Sequence, residues 1–154
     1  MEMMGKEEIA APREKVWEAL NDPDVLRQCI PGCQELEKTS DNEMFATVKV
    51  KVGPVSANFK GNVTLENMVP PKSYTIVGEG KGGIAGFAKG GAAVTLEEEG
   101  GINILNYEVT SEVGGKLAQL GWRLIDSTSK KLASQFFANL NEVITGEKED
   151  TETA

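Results

Sequence analysis

The 154-residue chain is the size of one ordinary domain and can bury a core without the help of a disulfide or a metal. Its 24 acidic residues outnumber its 16 basic residues, and the resulting net charge of −8 opposes binding to nucleic-acid phosphates. Because the chain has no histidine, histidine-dependent catalytic triads and the commonest zinc sites are excluded. It shows neither a signal peptide nor a membrane span of roughly 18 apolar residues, so we expect a cytoplasmic protein.

The chain begins with one strand and two short helices. The strand is predicted over residues 3–10, and Pro12 then fits the first turn of a helix that stops near Asn21. Asp22 is a suitable N-cap for a second short helix because proline occupies the next position. Pro31-Gly32 ends this second helix.

The middle of the chain, residues 33–113, shows only strands and turns. Apolar and polar side chains alternate along residues 55–66 and along residues 44–52, which is the period of a strand with one buried face. Gly53-Pro54 between them predicts a hairpin. Three further turns are predicted at Pro70-Pro71, residues 82–91 and Gly100-Gly101, so six consecutive antiparallel strands follow the two helices.

The last predicted element is a single unbroken helix over residues 116–145, which begins at the hinge Gly114-Gly115. Its apolar residues recur at three- and four-residue spacings. About 28 helical residues would span on the order of 40 Å, long enough to lie across a curved sheet and to enclose a cavity beneath it. We expect residues 1–145 to form one domain and the acidic residues 146–154 to be a disordered tail.

Four segments carry a family resemblance that covers roughly residues 3–145. They are residues 26–33 (LRQCIPGC), Gly53-Pro54-Val55 with Phe59-Lys60-Gly61, residues 82–87 (GGIAGF), and residues 114–121 (GGKLAQLG) with Arg123-Leu124-Ile125. Together they resemble the carbon monoxide dehydrogenase G-subunit family. The element order also resembles the α+β helix-grip fold of START-like proteins and polyketide cyclases, with about seven strands wrapped around the C-terminal helix.

The resemblance implies a noncatalytic accessory protein with a hydrophobic pocket. The expected partners are an apolar ligand, either a lipid or a quinone, and a molybdenum hydroxylase such as carbon monoxide dehydrogenase. The accessory role would be maturation of that enzyme or its recruitment to the inner face of the cytoplasmic membrane. We expect no resident cofactor and no metal.

The inner faces of the predicted elements supply candidates for the ligand cavity, although periodicity identifies a face and not which part of it is empty. Trp122 and Tyr107 are the preferred candidates because their polar tips need partners when buried. The candidates are Phe59, Val63, Tyr74, Ile76, Phe87, Leu105, Tyr107, Val109, Trp122, Ile125, Ser129, Leu132 and Phe136.

Alternate turns of an antiparallel meander lie at the same end, so the turn at residues 53–54, the loop at 82–91 and the hinge at 114–115 are predicted to form a cavity mouth. Lysines at positions 51, 81, 89 and 116 suit an anionic membrane surface, or else are ordinary solvated surface. The mouth candidates are Gly53, Pro54, Ile84, Phe87, Lys89, Gly115, Lys116, Leu117 and Leu120.

Two alternative functions stay open. One is a small enzyme of the polyketide-cyclase type, in which Glu108 or Asp126 would face the cavity and act with Tyr107 in acid–base chemistry. The other is chaperone-like binding of client proteins through the apolar tip. Cys29 and Cys33 are expected to be structural thiols. Residues 78–83 match G-x-G-x-x-G, but no helix is predicted after them, so dinucleotide binding is not expected.

Overall fold

A computed structural model describes residues 2–146 of the chain. These residues form seven strands and four α-helices, with one 3₁₀ turn at Gly83–Ala85. Their order is the predicted one, except that two helices stand where one C-terminal helix was predicted. The elements are β1 (Glu2–Ile9), α1 (Arg13–Leu20), α2 (Pro23–Cys29), β2 (Cys33–Ser40), β3 (Glu43–Val52), β4 (Val55–Val69), β5 (Ser73–Lys81), β6 (Phe87–Glu99), β7 (Ile102–Gly114), α3 (Lys116–Gln119) and α4 (Trp122–Thr145).

The strands form one antiparallel sheet in the order β1-β7-β6-β5-β4-β3-β2. Strands β2 to β7 are a meander, and β1 pairs with β7, so both edges of the sheet come from the N-terminal third of the chain. The long helix α4 packs against β1, β3 and the short helices. The predicted α+β helix-grip architecture is confirmed.

The two short helices lie at one end of the sheet. The Asp22 carboxylate accepts a hydrogen bond from the Asp24 N–H at 2.9 Å, which caps α2, and proline occupies the first helical position. Arg27 holds the other end of α2 in place, since its guanidinium donates to the Leu36 carbonyl of β2 at 2.8 Å. Both helix boundaries agree with the sequence analysis.

The C-terminal helix is not continuous, contrary to the prediction. It is divided into α3 and α4, and Gly121 between them has a φ of +91°, which favours glycine and cannot continue a helix. The break is hidden in the sequence because Leu117, Leu120 and Leu124 keep helical spacing across it. The remaining helix α4 has 24 residues, about 36 Å at 1.5 Å per residue.

The turn that was predicted over the glycine-rich residues 82–91 is also shorter than expected. The turn occupies residues 82–86, and Gly90 and Gly91 belong to β6. A Cβ on Gly90 would overlap the carbonyl oxygen of Thr110 in β7, so this glycine permits close approach of two strands rather than a turn.

The core lies mainly beneath α1, α2 and the C-terminal half of α4. Leu140 of α4, Val16 of α1 and Leu105 of β7 are each at most 1% exposed in this cluster. None of the helices within residues 2–146 is long and apolar enough to span a membrane. The predicted tail lies outside the described residues except for Gly146, the left-handed C-cap of α4.

Candidate ligand-binding site

One void, here called the inner cavity, has a volume of about 340 Å³ and lies between α4 and the middle of the sheet. All seven strands contribute at least one inward-facing side chain to its wall, including Leu36 of the edge strand β2. Cross-strand pairs such as Ile76–Ala92 and Ala92–Val109 set these residues side by side on the inner face. The lining consists almost wholly of aliphatic and aromatic groups.

A second void, here called the outer cavity, measures about 260 Å³ and lies under the N-terminal half of α4. Leu117 of α3 closes it and is only 4% exposed. The floor between the two cavities is made of small residues, since Gly78 pairs with Gly90 across β5 and β6. The absence of side chains on these glycines keeps the inner face of the sheet open between the cavities.

Most of the predicted cavity residues line one of the two cavities. Those at the inner cavity are Val63, Tyr74, Ile76, Leu105, Tyr107, Val109 and Phe136. Those at the outer cavity are Phe59, Ile125, Ser129 and Leu132.

Phe87 and Trp122 line neither the inner nor the outer cavity. Alternate residues of β6 from Ala88 onward face inward, and the ring of Phe87 instead lies over Gly114 on the outer face. Trp122 is the first residue of α4 and is 69% exposed, with the Arg123 guanidinium 5.7 Å from its ring centroid. The helix break before Trp122 turns it outward, and it borders a separate pocket of about 260 Å³ beside β7.

The sequence analysis missed lining residues at both ends of the inner cavity. The alternation along β3 could have identified its members, since they share the buried face of the predicted hairpin. The contributions of the short helices and of β1 depend on tertiary packing and had no local signal. The missed residues are Met3, Leu20, Leu26, Ile30, Leu36, Met44, Ala46, Val48, Leu65, Ala92, Val94, Ala133 and Phe137.

Two tyrosines are the sole polar side chains in the described lining of the inner cavity. Tyr74 lies near the short helices, is 4% exposed, and meets the Trp17 ring edge-to-face at a centroid distance of 5.2 Å. Burial raises the pKa of Tyr74 well above its usual value, so its hydroxyl stays protonated. Within residues 2–146 this hydroxyl makes no hydrogen bond, and its oxygen is not among the fully buried side-chain atoms without a partner.

Tyr107 lies at the β1 edge of the same cavity. Its ring passes over Gly5 of β1 and stacks on Phe137 of α4, with centroids 5.1 Å apart. Glu7 lies two residues beyond Gly5 on the same face of β1. Burial, and secondly the charge of Glu7, raise the pKa of Tyr107, and burial also raises the pKa of Glu7. Tyr107 therefore closes the β1 side of the cavity beside a carboxylate at the rim.

The carboxylates proposed for a cyclase do not reach the inner or the outer cavity. Glu108 lies on the outer face of β7 and is exposed. Asp126 forms an ion pair with Lys130 at 3.1 Å on the surface of α4. The described linings of both cavities contain no carboxylate.

The three turns of the predicted mouth lie at one end of the molecule. Gly86 and Gly115 lie against each other, and Gly53 lies against Leu124 of α4. Exposure differs among the candidates, because Ile84 is 84% exposed whereas Leu117 is buried. Leu120 is half-buried against the residues of the outer cavity, while Pro54 and Lys116 are exposed and Lys89 lies 3.6 Å from Glu112.

Comparison with solved structures agrees with this architecture. A conserved protein from Geobacillus kaustophilus is 28% identical, with a TM-score of 0.89 over 95% of this chain and 96% of that chain. A Thermus thermophilus protein is 13% identical, with a TM-score of 0.71 over 95% and 98% of the chains. An aromatase/cyclase from Streptomyces sp. R1128 is 12% identical, with a TM-score of 0.65 over 94% and 93%. The similarity to the last two proteins shows a shared fold only.

The sequence matches none of the curated proteins with which it was compared. The family model for the G subunit of carbon monoxide dehydrogenase (CoxG) matches residues 5–145. This match contains all seven paired strands except the first three residues of β1, together with the four helices and all lining residues of both cavities except Met3. The chain belongs to the carbon monoxide dehydrogenase G-subunit (CoxG) family.

Proposed function

We propose that the protein binds an apolar small molecule, a lipid or a quinone, beneath α4 and acts as a noncatalytic accessory to a molybdenum hydroxylase such as carbon monoxide dehydrogenase. The observation that carries the ligand proposal is the inner cavity, about 340 Å³ lined by apolar groups and two tyrosines. The choice of partner enzyme rests on family membership.

The size of the inner cavity favours an occupant. Engineered apolar cavities of about 150 Å³ stay dry and bind benzene, and this cavity is more than twice as large. The walls of the inner cavity are almost wholly apolar, and removing apolar surface from water is favourable. A ligand that covers these walls would therefore stabilise the folded protein.

The ligand proposal is tested by native mass spectrometry of freshly purified protein, followed by organic extraction. We expect an apolar molecule of defined mass to copurify. An Ala92→Leu variant should carry less of it, because this side chain would project into the inner cavity. Ala93→Leu, on the exposed outer face of the same strand, is the matched control. Full occupancy in both variants would contradict binding at this cavity.

The accessory role is tested by mixing the protein with a purified carbon monoxide dehydrogenase, or another molybdenum hydroxylase, from the same source. Comigration on size-exclusion chromatography, or an increase in the fraction of enzyme that carries its cofactor, is the expected result. If neither effect is seen with any such enzyme, the accessory role is refuted, whereas the proposal of ligand binding is unaffected.

Contact with a membrane is proposed for the end of the molecule that carries the three glycine turns. Ile84 and Trp122 are exposed there, and Lys81 and Lys116 are exposed nearby. Each well-placed base contributes about 1 kcal/mol at an anionic surface. We expect sedimentation with vesicles containing phosphatidylglycerol, reduced by Ile84→Asp. Ile102→Asp, at the opposite end of the sheet, is the control, and an equal effect of both variants would contradict this orientation.

No observation on the described residues favours the cyclase alternative. Acid–base chemistry would need a carboxylate within hydrogen-bond reach of a bound substrate, and Glu108 and Asp126 lie outside the linings of both cavities. The likeness to an aromatase/cyclase is one of fold at 12% identity.

A further inference from the structure

Tyr74 is the more deeply buried of the two tyrosines in the described lining of the inner cavity. The residue is 4% exposed, its ring lines the cavity, and the Trp17 ring packs edge-to-face against it. The Tyr74 hydroxyl makes no hydrogen bond within residues 2–146, and its oxygen is not among the fully buried side-chain atoms without a partner, so it keeps some accessible surface. A hydroxyl that is neither paired nor hydrated forfeits the hydrogen bonds that it makes in water, so a ligand that displaces water from the cavity has to replace them.

The surroundings of Tyr74 define what its partner must be. No charged side chain is present in the described lining of the inner cavity, so an ionised ligand would lose its hydration without gaining a countercharge. Glu7 at the rim adds a negative charge near Tyr107 and further disfavours an anion. Burial keeps the phenol of Tyr74 protonated, so that it acts as a hydrogen-bond donor.

We propose that the inner cavity takes an uncharged, mainly apolar molecule that carries a hydrogen-bond acceptor, and that the Tyr74 hydroxyl donates to this acceptor. The inference rests on the proposed function and adds the chemical class of the ligand and its orientation. The acceptor lies toward α1 and α2, and the apolar body extends past Ala92 toward the glycine floor and the outer cavity. A ligand without an acceptor leaves the hydroxyl unpaired and binds more weakly.

The second tyrosine provides a matched comparison within the same cavity. Tyr107 is half-buried, lies on β7 beside the edge strand β1, and crosses Gly5 with its ring and hydroxyl. Removing this hydroxyl alters the edge of the cavity, whereas removing the Tyr74 hydroxyl alters its deep end. Both changes to phenylalanine retain the aromatic ring and its packing.

The experiment uses two uncharged bicyclic probes, 1-tetralone, which carries a carbonyl acceptor, and tetralin, which does not. Their dissociation constants are measured by calorimetry with the delipidated full-length protein, Tyr74→Phe and Tyr107→Phe. A net hydrogen bond corresponds to roughly a three- to tenfold change in affinity. We expect Tyr74→Phe to lose that factor for 1-tetralone only. Tyr107→Phe, at the edge of the same cavity, should change the affinities for the two probes by the same factor and so keep their ratio.

The outcomes separate this inference from the proposed function. If neither probe binds the unchanged protein, ligand binding at the cavity fails altogether. If tetralin binds but 1-tetralone gains nothing, or if Tyr107→Phe removes the gain instead, the assignment to Tyr74 is overturned. Should Tyr74→Phe fail to fold, the infrared carbonyl band of 1-tetralone bound to the unchanged protein decides. A band shifted from its alkane position supports the hydrogen bond, and an unshifted band refutes it.

Discussion

Filling the inner cavity tests whether it is empty in the ligand-free protein. Ala92 lies near the middle of β6, between Ile76 of β5 and Val109 of β7, and all three line the cavity. Ala92→Leu would project three further carbons into a void of about 340 Å³. Because the site is open, the larger side chain should stabilise the protein, whereas in a packed core it would strain it.

The expected magnitude follows from the burial of those carbons. Three carbons at about 0.8 kcal/mol each give roughly 2.4 kcal/mol. Ordering the leucine side chain costs about 0.5–1 kcal/mol, so the net gain is about 1.5–2 kcal/mol. For a chain of this size, a change of 1 kcal/mol moves Tm by about 2–4 °C, and we expect Ala92→Leu to raise Tm by about 3–8 °C.

The measurement is thermal unfolding of delipidated protein followed by circular dichroism. Ala93→Leu is the control, since it adds the same carbons to the exposed face of β6. A lower Tm for Ala92→Leu would mean that neighbouring side chains already occupy the space. An equal rise in both variants would mean that leucine merely favours this strand, and in either case the reasoning from cavity volume fails.

Three further predictions concern stability. Leu140→Ala should destabilise the protein by about 2–5 kcal/mol in urea unfolding, because Leu140 is fully buried; a loss below 1 kcal/mol would contradict its place in the core. Gly61→Ala should destabilise the protein, since its Cβ would overlap a carbonyl oxygen of the next strand; Gly78→Ala meets only ordinary contacts, and equal losses would refute this distinction. Burial raises the pKa of Cys29 from 9.0 to about 11, so its contribution to stability is fully present below pH 9 and is lost as pH rises through 11. Cys29→Ala should therefore lose less stability across that range, and an unchanged slope would contradict the shift.

The order of the elements was predictable because each boundary has a local cause. Asp22 and proline at the next position start α2, and the hairpin turn at Gly53-Pro54 follows from strand alternation on both sides. The break at Gly121 was not predictable, since apolar spacing continues across it and a glycine within a helical pattern is often tolerated. The exposure of Trp122 follows from this break and was missed with it.

The sequence analysis also failed to show which residues of β6 face inward, for a related reason. Glycines at positions 90 and 91 interrupt the alternation that would have shown which residues face inward. Phe87 looked like a cavity residue because it is the largest apolar side chain of that segment. Its actual place over Gly114 is set by pairing with β7, which is a long-range contact and leaves no signal in the local sequence.

The cavity itself is encoded by side-chain size rather than by polarity. Near α1 and α2 the inner face carries large groups such as Tyr74, Leu96 and Leu105, which pack into the core. Toward the middle, the same strands carry Ala92 and Gly78, while α4 is supported by β1 and β3 on either side. Because α4 rests on strands at both sides and small residues lie beneath it, a void remains between the helix and the sheet. The alternation of apolar and polar positions along a strand does not reveal such a void. The size of the inward-facing side chains along each strand is therefore the sequence signal for such a cavity. Ala92→Leu changes the size of one such side chain and leaves its apolar character unchanged.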